Sequence, residues 1–189
     1  MAAPGLLKPE TCFLHVVDVQ ESLMRQIHNA EAVAATVKLM LRCSKILGLS
    51  ILANTQYRKG LGVYVPELEE LMDGIPRPDK VEFNAFANNE TAALVDKLPA
   101  SVTCMLIVGV ETHICIHQTA MGALARGITP YIVSDAVSSR TPENHRAGLA
   151  RMQAEGCVVG PAEMFIYEML GKAGSPEFKQ ILPFIVEKG

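Results

Sequence analysis

Short apolar runs alternate with segments of helical periodicity along this chain, and that alternation confines it to an α/β architecture. Apolar runs at 13–17, 49–53, 102–108 and 128–133 predict strands, with shorter ones at 79–82 and 157–159. Between them, Val33, Val37, Met40, Leu41 and Leu47 recur at helical spacing over 30–47, with Lys38, Arg42 and Lys45 on the other face and Asn29 placed to cap the start. Helices are predicted at 90–98 and 112–126, the second stopped by Gly127. Thr141-Pro142-Glu143 and Ser175-Pro176-Glu177 are helix openings: a hydroxyl cap, proline at the first position, then an acid. The first runs to about Glu155, where Gly156 closes it. The second starts a C-terminal helix whose Phe178, Ile181, Leu182, Phe184 and Ile185 either pack on a neighbouring subunit or complete the chain's own core. Residues 67–72 form a short helix at best, and 54–65 read as a surface loop.

Strands joined by helices imply right-handed crossovers and a mainly parallel sheet covered on both faces, a three-layer α/β/α domain. At 189 residues, with no linker or internal repeat, 1–189 reads as one domain. A chain that is 49% apolar and 20% charged has the balance of a soluble protein, and no apolar run approaches the roughly 20 residues of a membrane helix. The first ten residues do not read as a secretory signal. A net charge of −3 with scattered lysines and arginines gives no footprint for nucleic acid. Cysteines at 12, 43, 104, 115 and 157 form no CxxC pair and are odd in number, which indicates a reducing compartment rather than a disulfide scaffold. A cytoplasmic location is favoured over a mitochondrial one, since the first ten residues carry no arginine.

Ligands of such sheets bind beyond the carboxyl ends of the strands. That rule selects Asp18 and Gln20, then Asn54, Gln56 and Tyr57, then Lys80, then Glu111, Thr112, His113 and Cys115, then Ser134 and Asp135. Cys115 falls in the first turn of a predicted helix, where free N–H groups and the dipole favour a thiolate. Taken alone it reads equally well as a small apolar helix residue. Asp18 is a general-base candidate or an ordinary loop carboxylate, and Lys80 a fixed positive charge or a solvated surface lysine. His113 and His117, four apart, form a possible metal pair, but Cys115 lies on a different face and no glutamate follows His113, so a structural or surface role is expected.

The run Leu106-Ile107-Val108-Gly109-Val110-Glu111-Thr112-His113-Ile114-Cys115 resembles the cysteine motif of the isochorismatase-like hydrolases, which include nicotinamidases, N-carbamoylsarcosine amidases and isochorismatases. Val17-Asp18-Val19-Gln20 is similar to that family's aspartate motif, and Lys80-Val81-Glu82-Phe83-Asn84-Ala85-Phe86 to its lysine motif. Val133-Ser134-Asp135-Ala136 and the stretch 145–152 extend the likeness, which spans about 12–159 and sits nearest the isochorismatase-domain-containing branch. The resemblance implies a six-stranded parallel sheet and a catalytic triad of Asp18, Lys80 and Cys115. It also implies a cis peptide between Val110 and Glu111, and an oxyanion hole from the amides of Glu111 and Cys115. Gln20, Gln56, Tyr57 and Phe86 are expected to line the substrate pocket. Family members are often dimers or tetramers, so a homo-oligomer acting on a small-molecule substrate is expected.

Nicotinamidases hold a metal through an Asp-x-His element after the second strand. Here that stretch is Asn54-Thr55-Gln56-Tyr57-Arg58-Lys59-Gly60, with neither histidine nor carboxylate. No metal and no cofactor are expected. Isochorismatase chemistry cleaves a vinyl ether and some members doing so lack the cysteine, so Cys115 points instead to hydrolysis of an amide-like bond. The alternatives are a catalytically weak binding or scaffold protein, or a ribonuclease-labelled relative.

Overall fold

The computed structural model describes residues 5–188. Six parallel strands lie in one sheet: β1 (Cys12–Val17), β2 (Ser50–Gln56), β3 (Asp79–Lys80), β4 (Cys104–Val110), β5 (Thr129–Ser138) and β6 (Val158–Gly160), in the order β3-β2-β1-β4-β5-β6. The chain winds outward from β1 to β3, then crosses back beside β1 and winds the other way. The seam between β1 and β4 is therefore the topological switch point.

The helices are α1 (Glu21–Met24), α2 (Ala30–Ile46), α3 (Arg58–Leu61), α4 (Pro66–Glu69), α5 (Asn89–Val95), α6 (His117–Ala125), α7 (Pro142–Ala154), α8 (Ala162–Leu170) and α9 (Pro176–Lys188). All six residues of β1 are buried, as a central strand covered on both faces must be. On one face Leu14, Val16, Leu106 and Tyr131 pack with Val37, Met40 and Leu41 of α2, Phe165 of α8 and Ile181 of α9. On the other, Phe13, Val17, Met105 and Ile107 pack with Val95 of α5, Ala120 of α6 and Met152 of α7. These two cores lie between the sheet and its two helical layers, the three layers predicted from the strand–helix alternation.

The Thr141 and Ser175 caps form as expected, accepting from the backbone N–H of Asn144 and Phe178. Asn29 does not: it takes the left-handed conformation before α2 and its side chain makes no cap bond. The segment expected to be a surface loop after residue 53 is more ordered than that. Strand β2 continues to Gln56, and Tyr64 is buried, bridging antiparallel to Gln20, with its hydroxyl between the carbonyls of Val16 (3.0 Å) and Asn54 (2.6 Å). Sequence reading also passed over α8. Its Ala162, Phe165, Ile166 and Met169 have helical spacing, but Pro161 at the start provides no side-chain cap. Helix α9 packs on α2 of its own chain: Ile181 is buried and the Arg42 guanidinium lies 4.7 Å from the Phe184 ring. Of the two roles open to that helix, the chain's own core takes Ile181. No helix among the described residues is long and apolar enough to cross a membrane.

Candidate active site

Asp18 leaves the carboxyl end of β1 with φ +55°, a conformation aspartate tolerates better than most residues. Its amide donates to the Asn54 carbonyl at 3.2 Å, which ties the turn to β2. Lys80 ends β3, two strands away, and reaches back across β2. Its Nζ donates to Asp18 Oδ2 at 2.7 Å and to Gln56 Oε1 at 2.6 Å. Neither side chain of the Lys80–Asp18 pair meets solvent. Gln56 is held in turn: its side-chain amide donates to the Val81 carbonyl, and its main chain is clamped by Gln20 from both sides. Gln20 also donates to the Gly62 carbonyl, so this residue, expected as pocket lining, is fully buried and occupied with the backbone around it.

Cys115 comes from the far side of the seam. After β4 the Val110–Glu111 peptide is cis, and a single wide turn, Thr112–Ile116, leads into α6. The approach of β4 to β1 depends on Gly109 at φ +117°, where a Cβ would stand 1.9 Å from the Val17 carbonyl oxygen. Cys115 lies near enough to Asp18 for the carboxylate charge to act on its thiol. Asp18 Oδ1 is buried and has no hydrogen-bond partner among the described residues.

The electrostatics differ from the thiolate expected at a helix start. Burial, then the neighbouring Asp18 charge, push the Cys115 thiol up to about 12, and Lys80 offsets only part of this. The residue is 7% exposed, so losing water outweighs the free N–H groups of the turn. Burial also raises the Asp18 pKa, against the pull of Lys80.

A second buried network supports the first and was not anticipated as one. His15, on β1 below the site, shares a 2.7 Å hydrogen bond between Nε2 and Asn54 Oδ1. Asn54 Nδ2 donates to the Pro78 carbonyl and to Thr91 Oγ1. Asn54 thus joins β1, the strand bearing Lys80 and α5. Burial holds His15 neutral, its pKa lowered to about 4. Only the position of Asn54 at the end of an apolar run hints at this in the sequence.

Of the other expected pocket residues, Phe86 is nearly buried with its ring edge-on to His15, and Tyr57 is half exposed with a left-handed backbone. Val81 and Phe83 stand exposed beside Lys80. The Glu111 carboxylate accepts from Arg140. His113 pairs with Ser139 and His117 with Glu155, so the two histidines four apart face different partners. No group of three His, Cys, Asp or Glu able to hold a metal occurs among the described residues.

A doubly wound parallel sheet with polar side chains gathered beyond its strand ends is an α/β fold of the ligand-binding kind. More narrowly, this chain belongs to the isochorismatase family: the family model described as "Isochorismatase domain" matches residues 11–164. It is 32% identical over 186 residues to the secreted isochorismatase effector Isc1 of Phytophthora sojae, covering 97% of this chain and 88% of that protein. It is 31% identical over 186 residues to isochorismatase domain-containing protein 2 of Rattus norvegicus, covering 98% and 86%. Among solved structures, the MAR1 ribonuclease of Caenorhabditis elegans superposes with a TM-score of 0.89 at 29% identity, over 96% of this chain and 93% of that one.

Proposed function

We propose that the protein is a cysteine-dependent hydrolase of small amide-like substrates, with Cys115 as nucleophile, Asp18 as general base and acid, and Lys80 as the fixed cation. The observation that carries this reading is the buried Lys80–Asp18 ion pair, whose two charges both act on the nearly buried Cys115 thiol, the three side chains coming from separate strand ends.

The resting thiol is protonated, so its proton leaves as the sulfur attacks. Asp18 Oδ1, which has no hydrogen-bond partner among the described residues, takes that proton while the C–S bond forms and the carbonyl π pair moves onto oxygen. The amides of Glu111 and Cys115 receive the developing oxyanion. Asp18 returns the proton to the leaving nitrogen as the C–N bond breaks, which leaves an acyl thioester on Cys115. A water then loses a proton to Asp18, attacks the acyl carbon and releases acid and thiol. Lys80 favours the Asp18 carboxylate against the burial that raises its pKa, and Gln56, itself fixed by Gln20, orients the ammonium. Tyr57 and Phe86 are the proposed pocket walls. No metal or cofactor takes part in this scheme.

The buried site and the net charge of −3 favour a small molecule over RNA, despite the ribonuclease name of one structural relative. The test is a panel of simple amides and carbamoyl compounds turned over by the wild type and by Cys115→Ala. Loss of turnover together with loss of an acyl adduct on residue 115 supports the assignment, and undiminished turnover in Cys115→Ala defeats it. A wild type that accepts an electrophile at Cys115 but turns over no amide would favour a binding protein that keeps the family pocket.

A further inference from the structure

The five cysteines are not scattered alike in space. Cys12 opens β1 and Cys104 opens β4, and the two are direct register partners in adjacent parallel strands. They stand at the amino edge of the sheet, the end opposite Cys115. Side chains of register partners leave the same face of a sheet, and strands lie about 5 Å apart. Disulfides span Cα separations of about 4.4–6.8 Å, a range within which the spacing of adjacent strands falls. Each thiol shifts the pKa of the other, Cys12 upward and Cys104 downward. Cys12 is buried, whereas Cys104 is only partly covered. Hydroxyls flank them, Thr11 Oγ1 at 3.7 Å from the Cys12 sulfur and Thr103 Oγ1 at 3.9 Å from that of Cys104.

We infer that Cys12 and Cys104 form an oxidation site, in which Cys104 reacts with a hydroperoxide and Cys12 resolves it to a reversible disulfide. Cys104 is the more accessible of the two, and the neighbouring Cys12 thiol pulls its pKa down, which favours the thiolate there. The Cys104 thiolate attacks the terminal peroxide oxygen. The S–O bond forms, the O–O bond breaks, and the alkoxide or hydroxide takes a proton from water. Cys12 then attacks the sulfenic sulfur: the S–S bond forms, the S–O bond breaks, and the Cys12 proton leaves with hydroxide as water. Two thiols lose two electrons and the peroxide gains them. The buried resolving thiol protects Cys104 from further oxidation, and a dithiol reductant restores the pair. Cys43 and Cys157 have no thiol among their hydrogen-bond or charge partners, and burial raises the pKa of each, so both stay inert.

The experiment is stoichiometric hydrogen peroxide on the full chain, acid quench, alkylation under denaturing conditions and peptide mapping by mass spectrometry. The expected result is a cross-linked species joining the Cys12 and Cys104 peptides, lighter by two hydrogens and lost on treatment with dithiothreitol. Cys115→Ser should form it as the wild type does, which separates this site from the proposed nucleophile. Cys12→Ser should leave Cys104 as a sulfenic acid trapped by a cyclic 1,3-dione. The inference is overturned if wild-type Cys12 and Cys104 both remain alkylatable after another cysteine has oxidised, or if Cys104 oxidises while Cys12 stays free. The wild-type map alone decides this, even if a serine variant fails to fold.

Discussion

Lys80 and Asp18 meet at 2.7 Å with both side chains shut away from water, across an intervening strand whose Gln56 takes a second hydrogen bond from the same ammonium. An ion pair in such a setting is held by geometry rather than by strength. Desolvating two charges costs nearly what their attraction returns, and removing one partner leaves the other without compensation. Lys80→Met should therefore destabilise the protein by about 3–5 kcal/mol. Burial already pushes the Asp18 pKa up and Lys80 opposes it, so the variant's Asp18 binds a proton more tightly still. A raised native pKa gives stability that is lost as pH rises through it, so the deficit should be larger at pH 8 than at pH 5. Urea unfolding at both pH values, with Asp18→Asn/Lys80→Met costing less than the sum of its single variants, would bear this out. Strict additivity would show that the pair does not act as a unit.

Cys115 and Asp18 give a prediction in which labelling and turnover move in opposite directions. The Asp18 charge raises the thiol pKa and Lys80 lowers it. Asp18→Asn removes the first influence and keeps the second. Iodoacetamide should then alkylate Cys115 faster at pH 7 in the variant than in the wild type, while hydrolysis of any amide substrate is lost. In the wild type the labelling rate should climb with pH well past 9, toward the pKa of about 12. Equal labelling rates in both proteins would contradict the contact.

His15 sets an acid limit on stability. Its native pKa of about 4 lies below its ordinary 6.5 because burial disfavours the imidazolium. Below pH 6.5 the unfolded chain takes up a proton that the native state refuses, so stability falls between pH 6.5 and 4. A gap of that size corresponds to about 3 kcal/mol. His15→Gln should be less stable at pH 7 but should show a flatter acid limb in urea titrations from pH 7 to 4. An unchanged slope would mean that the imidazole titrates freely in the native state.

Gly109 permits the seam itself. A methyl group there would meet backbone of β1, not a flexible side chain that can turn away, in a conformation that L residues rarely adopt. Gly109→Ala should prevent accumulation of folded protein, or lower the melting temperature far more than Gly127→Ala, whose Cβ would meet nothing within 4 Å. Thermal melts of the two variants give the comparison.

The alternation of apolar runs with helical periodicity was enough to specify layers and a parallel sheet, since both are dictated by which local faces must be buried. The Thr141 and Ser175 caps were legible for the same reason: a cap is satisfied within four residues of chain. Asp18, Lys80 and Cys115 could be nominated because they follow strands and match ordered motifs. Tertiary structure alone supplied their relation. Hydrogen bonds between residues 62 apart, a buried Tyr64 in a segment that looks like loop, and the Asn54 junction under His15 leave no local pattern, because their partners come from other strands. The protonation of Cys115 was likewise decided in three dimensions. Sequence position placed it at a helix start, which favours a thiolate, but exclusion of water and the nearby carboxylate, both properties of the assembled fold, dominate.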